Sequence, residues 1–187
     1  MDFLKQLEAF EPECQQEVTD LSLLRRCLKT EQNLFTRENP LIHMTASAWV
    51  VNPSRDRVLM CYHKIYNSWS WLGGHADGER DLLQTAVREV QEESGLGNVR
   101  PLSEKIYSVE ALHVEGHWKR GAYVSSHIHM NVTYLLEADD REPLTVNEEE
   151  NSGLRWFTLE EAETLPEEVW MREMIYRKLN RKLSAFV

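Results

Sequence analysis

A mixed α/β fold, with helices flanking a sheet, is predicted by three features of this sequence. Short runs rich in β-branched and aromatic residues recur between turn residues, a long amphipathic segment interrupts them, and both ends carry helical periodicity. With 187 residues and 42% hydrophobic composition, the chain can bury one substantial core and leaves little room for a second large domain.

Residues 2–10 predict a short helix. Pro12 suits the first turn of a second helix, in which Val18, Leu21, Leu24 and Leu28 recur at helical spacing, and Asn39-Pro40 marks a break. These helices form an N-terminal segment, residues 1–40, expected to pack on a main domain spanning residues 41–187. There, Ile42 to Val51 predicts a strand, Asn52 to Asp56 supplies turn residues, and Arg57 to His63 returns antiparallel. Strands follow over Lys105 to Val114, His127 to Leu136 and Leu154 to Thr158. Thr158 is placed to cap a helix starting near Leu159, with Glu161 at its acidic start, and Pro166 to open a longer helix reaching about Arg181. The acidic stretch from Glu137 to Gly153 reads as a loop, functional or simply solvated.

Net charge narrows the class of partner. A formal charge of −10 argues against wrapping a long nucleic-acid backbone, so a small phosphorylated molecule in a local basic pocket is expected. Cys14, Cys27 and Cys61 form no C-x-x-C pair, which points to reduced thiols rather than to a disulfide framework or structural zinc. There is no basic-then-apolar N-terminal pattern and no apolar run of membrane-spanning length. A cytoplasmic protein is the expectation. Exposed sheet edges make a homodimer possible, unless the N-terminal helices cover them.

The amphipathic segment carries the chemistry. Leu82, Leu83, Ala86, Val90 and Leu96 define an apolar stripe, while Glu89, Glu92 and Glu93 meet elsewhere through i,i+3 and i,i+4 spacing. Clustered carboxylates repel one another, and hard oxygen ligands so spaced can hold Mg²⁺ or Mn²⁺. Arg88, one turn before Glu92, can brace its carboxylate. Gly73-Gly74 and Asp77-Gly78 can bend the chain toward this helix, and Gly95 can end it in a left-handed conformation. The plain alternative is a solvated acidic face.

Gly74, Arg88, Glu89, Val90, Glu92, Glu93, Gly95 and Leu96 match the box of the Nudix hydrolase family, which this sequence therefore resembles from residue 41 onward. The resemblance implies a Nudix-type α/β/α sandwich with a mixed sheet, here with an added N-terminal helical segment. It also implies Glu89, Glu92 and Glu93 as ligands of Mg²⁺ or Mn²⁺, Arg88 as their brace, and Glu89 as a possible base. Arg80 departs from the pattern, which has a glutamate there; Glu79 or Asp81 could supply a displaced carboxylate. Gly73-Gly74-His75-Ala76-Asp77-Gly78, with His43-x-Thr45-Ala46-Ser47-Ala48-Trp49 upstream, is similar to a bacterial Nudix subgroup.

Other residues could reach a ligand. Among Glu148, Glu149 and Glu150, the resemblance favours Glu149 as a second candidate base, with Glu150 next. His117, Trp118, Lys119, Arg120 and Tyr123 sit in a loop-like connection that could contact phosphate and stack on a base, or be incidental surface. Gly74, His75 and Arg120 are the substrate-binding candidates, although His75 could equally hold its own loop. His43, His63, His127 and His129 read as satisfied structural histidines, and their spacing suggests no zinc arrangement. Cys61 reads as buried, with a reactive thiol as the alternative.

The reaction the resemblance implies is metal-dependent hydrolysis of a phosphoanhydride in a nucleoside diphosphate linked to another group. A catalytically weakened ligand-binding or regulatory module is the alternative from another class. Isomerisation of a prenyl diphosphate ranks below both.

Overall fold

The computed structural model describes residues 2–119, 121–148 and 151–186. In chain order its elements are α1 (Phe3–Ala9), α2 (Gln15–Thr30), β1 (Ile42–Val51), β2 (Arg57–His63), β3 (Ser68–Ser70), β4 (Leu72–His75), α3 (Leu82–Ser94), β5 (Arg100–Pro101), β6 (Ser108–Val114), β7 (His117–Lys119), β8 (Ala122–Val124), β9 (His127–Glu137), β10 (Asn151–Thr158), α4 (Leu159–Thr164), a π-helical turn (Met171–Tyr176) and α5 (Arg177–Ala185). Eight strands form one sheet in the order β10-β2-β1-β9-β5, with β3 on β2, β4 on β1 and β6 on β9. This is the α/β fold with a mixed sheet and flanking helices that the sequence predicts.

Strands β1 and β2 fall where expected, because Asn52 closes the turn between them: its side-chain oxygen accepts from the Asp56 and Arg57 amides, both at 3.1 Å. Thr158 forms a full capping box with Glu161, as the sequence indicates. Helix α2, by contrast, begins after Pro12, at Gln15, where the Glu17 carboxylate reaches back to the Glu13 amide at 2.8 Å. Its buried stripe is Glu17, Leu21, Leu24 and Cys27, so Val18 is left exposed. Pro166 likewise precedes its helix, which starts near Val169 and runs on into the π-helical turn. The connection holding Trp118 is a hairpin, β7 against β8, with Trp118 opposite Tyr123.

The chain divides into two compact units. The first comprises Met1–Ser47, Gly73–Ala86 and Glu104–Tyr134. In it α2 lies against β6, where Gln16 donates to the Val109 carbonyl at 2.9 Å and Asp20 accepts from the Ala111 amide at 3.0 Å. Helix side chains thereby occupy backbone groups that a bare strand edge would offer to another chain. The strands of this unit also carry a buried polar stripe. Asn131 accepts from the Thr45 and Ser47 hydroxyls at 2.9 Å each and donates to Glu110 at 2.9 Å, while Thr133 also donates to Glu110. Each polar group of the stripe is hydrogen bonded, as burial requires.

The second unit comprises Ala48–Leu72, Val87–Ser103 and Leu135–Val187. Its core centres on Tyr176, stacked on Trp49 at 5.5 Å and met edge-on by Trp71 at 5.9 Å. Burial pushes the Tyr176 phenol up, out of the range of physiological titration.

Candidate functional site

Helix α3 sets its two faces as its pattern demands. Leu82, Ala86, Val90 and Leu96 are buried; Leu83 is only half-buried, and Thr85 takes a buried place instead, its hydroxyl donating to the Asp81 carbonyl at 3.3 Å. The reason is the helical angle, which turns position 85 toward the same side as 82 and 86.

The three glutamates occupy different settings. Arg88 donates to Glu89 at 2.8 Å and lies 3.8 Å from Glu92, so one guanidinium spans two carboxylates. The Glu89 side chain is 16% exposed and that of Glu92 60% exposed. Glu93 is buried and accepts from the Asn151 amide at 2.9 Å. The loop before β10 is tied to the same helix end, with the Thr145 amide donating to the Ser94 carbonyl at 2.8 Å and the Asn147 amide to the Glu93 carbonyl at 3.4 Å.

Gly95 ends α3 at φ 73°, and its amide donates to the Gln91 carbonyl at 2.9 Å. A Cβ here would stand 2.8 Å from the Thr145 Cβ. Gly95→Ala is therefore expected to cost about 1–2 kcal/mol, from left-handed strain plus displacement of Thr145, read as a lower urea midpoint.

The glycine-rich turn bends at Asp77 and Gly78, with φ of 46° and 94°. Arg37 holds Asp77 through two hydrogen bonds, at 2.8 and 2.7 Å, and the Gly78 amide donates to the Phe35 carbonyl at 2.8 Å. Gly73 serves close approach, as its absent side chain would meet the Ala46 carbonyl and the Ser47 backbone.

Arg80 lays its guanidinium over the Phe35 ring, 4.4 Å from the centroid. Its neighbours are engaged in starting the helix. The Glu79 carboxylate accepts from the amides of Arg80 and Asp81 at 2.7 and 2.8 Å, and the Asp81 carboxylate accepts from the Gln84 amide at 3.1 Å. Acidic groups at a helix start offset its unpaired amides and dipole, which explains both contacts without a metal.

Arg120, Glu149 and Glu150 lie outside the described residues. On the hairpin, Trp118 and Tyr123 are both exposed and meet edge to face at 5.7 Å, forming an aromatic surface. Cys61 is buried, with its thiol donating to the Trp71 carbonyl at 3.6 Å, in keeping with a packing role. His63 sits in its own turn, where its Nδ1 accepts from the Ile65 amide at 3.3 Å and its ring stacks on Tyr66 at 4.4 Å.

What sequence reading missed is a histidine cluster. Among the described residues, His43, His75 and His129 bring one potential ligand atom each to within 4.8 Å of one another, an arrangement capable of coordinating a metal ion. They come from β1, β4 and β9, so no short spacing announces them. Burial holds all three rings neutral: it pushes the His129 pKa down to about 2, that of His75 down to about 3, and that of His43 below its usual value. Neighbouring histidines act in the same direction on all three.

With this geometry in view, the comparisons with known proteins are specific about family and silent about substrate. Residues 41–178 match the NUDIX domain model. Among solved structures, a C. elegans Ap4A hydrolase in a binary complex aligns with a TM-score of 0.54 at 21% identity, over 76% of this chain and 96% of that one. A NUDIX-family hydrolase from Clostridium perfringens aligns with a TM-score of 0.54 at 21% identity, over 78% and 98%. The E. coli dihydroneopterin triphosphate pyrophosphohydrolase aligns with a TM-score of 0.52 at 15% identity, over 77% and 94%. At such identities the likeness is one of fold. No curated protein matches the sequence. Among the described residues, no helix is long and apolar enough to cross a membrane. The domain match across most of the chain, joined to the observed α/β fold and the box on α3, makes this chain a member of the Nudix hydrolase superfamily.

Proposed function

We propose that the protein hydrolyses a phosphoanhydride in a nucleoside diphosphate linked to another group, using Mg²⁺ or Mn²⁺, as a bacterial-type cytoplasmic enzyme whose catalytic domain is residues 41–187. The observation that carries this reading is the Arg88 guanidinium bridging Glu89 and Glu92 on α3. A cation held beside two carboxylates orients both without exhausting their oxygens. The donor set fits a hard dication: Glu92 presents a largely exposed carboxylate, Glu89 a partly exposed one, and Glu93 is anchored by Asn151.

Glu89, Glu92 and Glu93 would hold the ion. The chemistry a bound ion would supply there is neutralisation of phosphate charge and Lewis acidity toward water. Arg88 keeps the carboxylates in register, and Asn151 fixes Glu93 through the hydrogen bond it donates. Glu89 or Glu149 accepts the proton of the attacking water, the oxygen of which adds to phosphorus as the bridging P–O bond breaks. Two phosphorylated products leave. Gly74, His75 and Arg120 are the proposed substrate contacts, and the exposed Trp118 and Tyr123 rings suit stacking on a base.

A second reading, a ligand-binding or regulatory module with weakened catalysis, is favoured by Arg80 and its neighbours. Both nearby carboxylates already accept backbone amides at the helix start, each through one oxygen. Arg80→Glu is expected to raise Mg²⁺-dependent turnover roughly tenfold by restoring a hard ligand, at a stability cost of about 0.5–1 kcal/mol for the lost ring contact. Unchanged turnover would show that this position contributes no metal ligand.

The functional test is a screen of nucleoside diphosphate sugars, dinucleoside polyphosphates, modified nucleotides and prenyl diphosphates with Mg²⁺ or Mn²⁺, read by product mass. Two phosphorylated fragments from a nucleotide substrate support hydrolysis. Metal-dependent binding without turnover across the panel supports the regulatory module.

A further inference from the structure

We propose that His43, His75 and His129 bind a first-row transition dication of the Zn²⁺ or Co²⁺ class, leaving a coordination position open to water or an anionic oxygen. This is independent of the carboxylate assignment on α3.

Hydrogen bonding bears on where the lone pairs of two of the three rings, His43 and His129, lie. His43 Nδ1 is 3.1 Å from the Asn39 carbonyl, which can only accept, so the proton sits on Nδ1 and Nε2 keeps its lone pair. That Nε2 is buried and has no hydrogen-bond partner, in a residue 5% exposed. Asn39 is itself held in place, donating to the Gln32 carbonyl at 3.0 Å and accepting from the Leu41 and Ile42 amides at 3.1 Å. A carbonyl that orients one ring nitrogen and leaves the other as a buried acceptor is the outer-shell support found around metal-binding histidines.

The same bookkeeping runs through His127. Its Nδ1 donates to the Ser125 carbonyl at 2.8 Å. Its Nε2 lies 3.0 Å from His129 Nε2, a contact satisfied by one proton between them; with that proton on His129, the lone pair of His129 is on Nδ1. Ring centroids of His43, His75 and His129 lie 4.8–5.1 Å apart in pairs.

Several acceptor nitrogens crowded together are costly unless something positive satisfies them. A proton is a poor solution, because burial and mutual repulsion keep these rings neutral. An anion is also poorly served by His43, whose one N–H is engaged with the Asn39 carbonyl. A dication accepts all three lone pairs and displaces no proton from them. Ligand softness then selects among dications: imidazole suits zinc, cobalt, nickel and copper, whereas Mg²⁺ prefers oxygen. Zn–N bonds of about 2.0–2.1 Å at tetrahedral angles place nitrogens roughly 3.4 Å apart, so the ligand atoms draw in by about an ångström or less on binding.

The test uses untagged full-length protein stripped with a chelator and titrated with Co²⁺. Expected are visible d–d bands of a low-coordinate nitrogen site, saturating at one ion per chain, persisting in excess Mg²⁺ and lost on adding Zn²⁺. His129→Ala and His75→Ala should each weaken Co²⁺ binding at least 100-fold while keeping the wild-type circular dichroism. Should either variant fail to fold, the conservative His75→Gln supplies the same readout from one of the two half-buried members. Glu92→Gln and Glu93→Gln should leave the bands intact, so failure of the carboxylate assignment and failure of this one are separable. Absence of d–d bands in the folded wild type, or bands that survive loss of a histidine, would overturn the proposal. Bands lost in Glu92→Gln would overturn it as well, assigning the ion to α3.

Discussion

Glu93→Gln is expected to lower turnover by two to three orders of magnitude, about 3–4 kcal/mol at the transition state, while leaving the fold intact. The substitution removes the charge and one good oxygen ligand but preserves the local hydrogen bond. Asn151 donates to Glu93 at 2.9 Å, and a Gln carbonyl accepts that bond equally well. The Asn151 side-chain oxygen is buried without a partner, so the new Gln amide has an acceptor within the same contact. The fold, read by circular dichroism, should therefore be retained. Glu92→Gln should lose activity to a similar extent through a more exposed carboxylate. Steady-state rates with Mn²⁺ and thermal melts measure the two effects separately, and wild-type activity in both folded variants would refute the ligand assignment.

Gly73→Ala has the largest structural effect expected of a single methyl group. The added carbon would lie 2.5 Å from the Ala46 carbonyl oxygen and 2.6 Å from both the Ser47 Cα and its hydroxyl oxygen. Two of these atoms are backbone, and the hydroxyl already donates to Asn131, so relief requires β4 to move away from β1. A loss of about 3 kcal/mol is expected, or roughly 6–12 °C in Tm. Gly97→Ala, with nothing within 4 Å of the added carbon, should be nearly neutral. Equal melting of the two variants would remove the close-approach argument for Gly73.

Much of the fold was legible because its signals are local. The Asn52 turn fixes β1 and β2, the Thr158 capping box fixes α4, and helical spacing fixes the buried stripe of α3. Short strands were not legible: β3, β4, β7 and β8 have three or four residues each, too few for alternation to declare itself. Proline misled at Pro12 and Pro166, since its fixed φ suits the residues just before a helix as well as its first turn.

The candidate site divides along the same line. Arg88 and Glu92 lie one turn apart on one helix, and i,i+4 geometry makes their approach calculable from spacing alone. The support of Glu93 by Asn151 was not calculable, because the two are 58 positions apart. His43 and His75 belong to stretches the sequence singles out, but nothing in those stretches links them to each other or to His129. Only strand pairing gathers them, and an isolated histidine in a strand carries no mark of what it will face.

Phosphoanhydride hydrolysis is tested most directly by running the best substrate of the screen with Mn²⁺ in ¹⁸O-labelled water and weighing both products. One labelled oxygen on one of two phosphorylated fragments is the expected result, with the label lost together with turnover in Glu93→Gln. A product of unchanged mass would establish isomerisation, and tight metal-dependent binding with no labelled product would establish a module that binds without hydrolysing; either contradicts the proposed reaction.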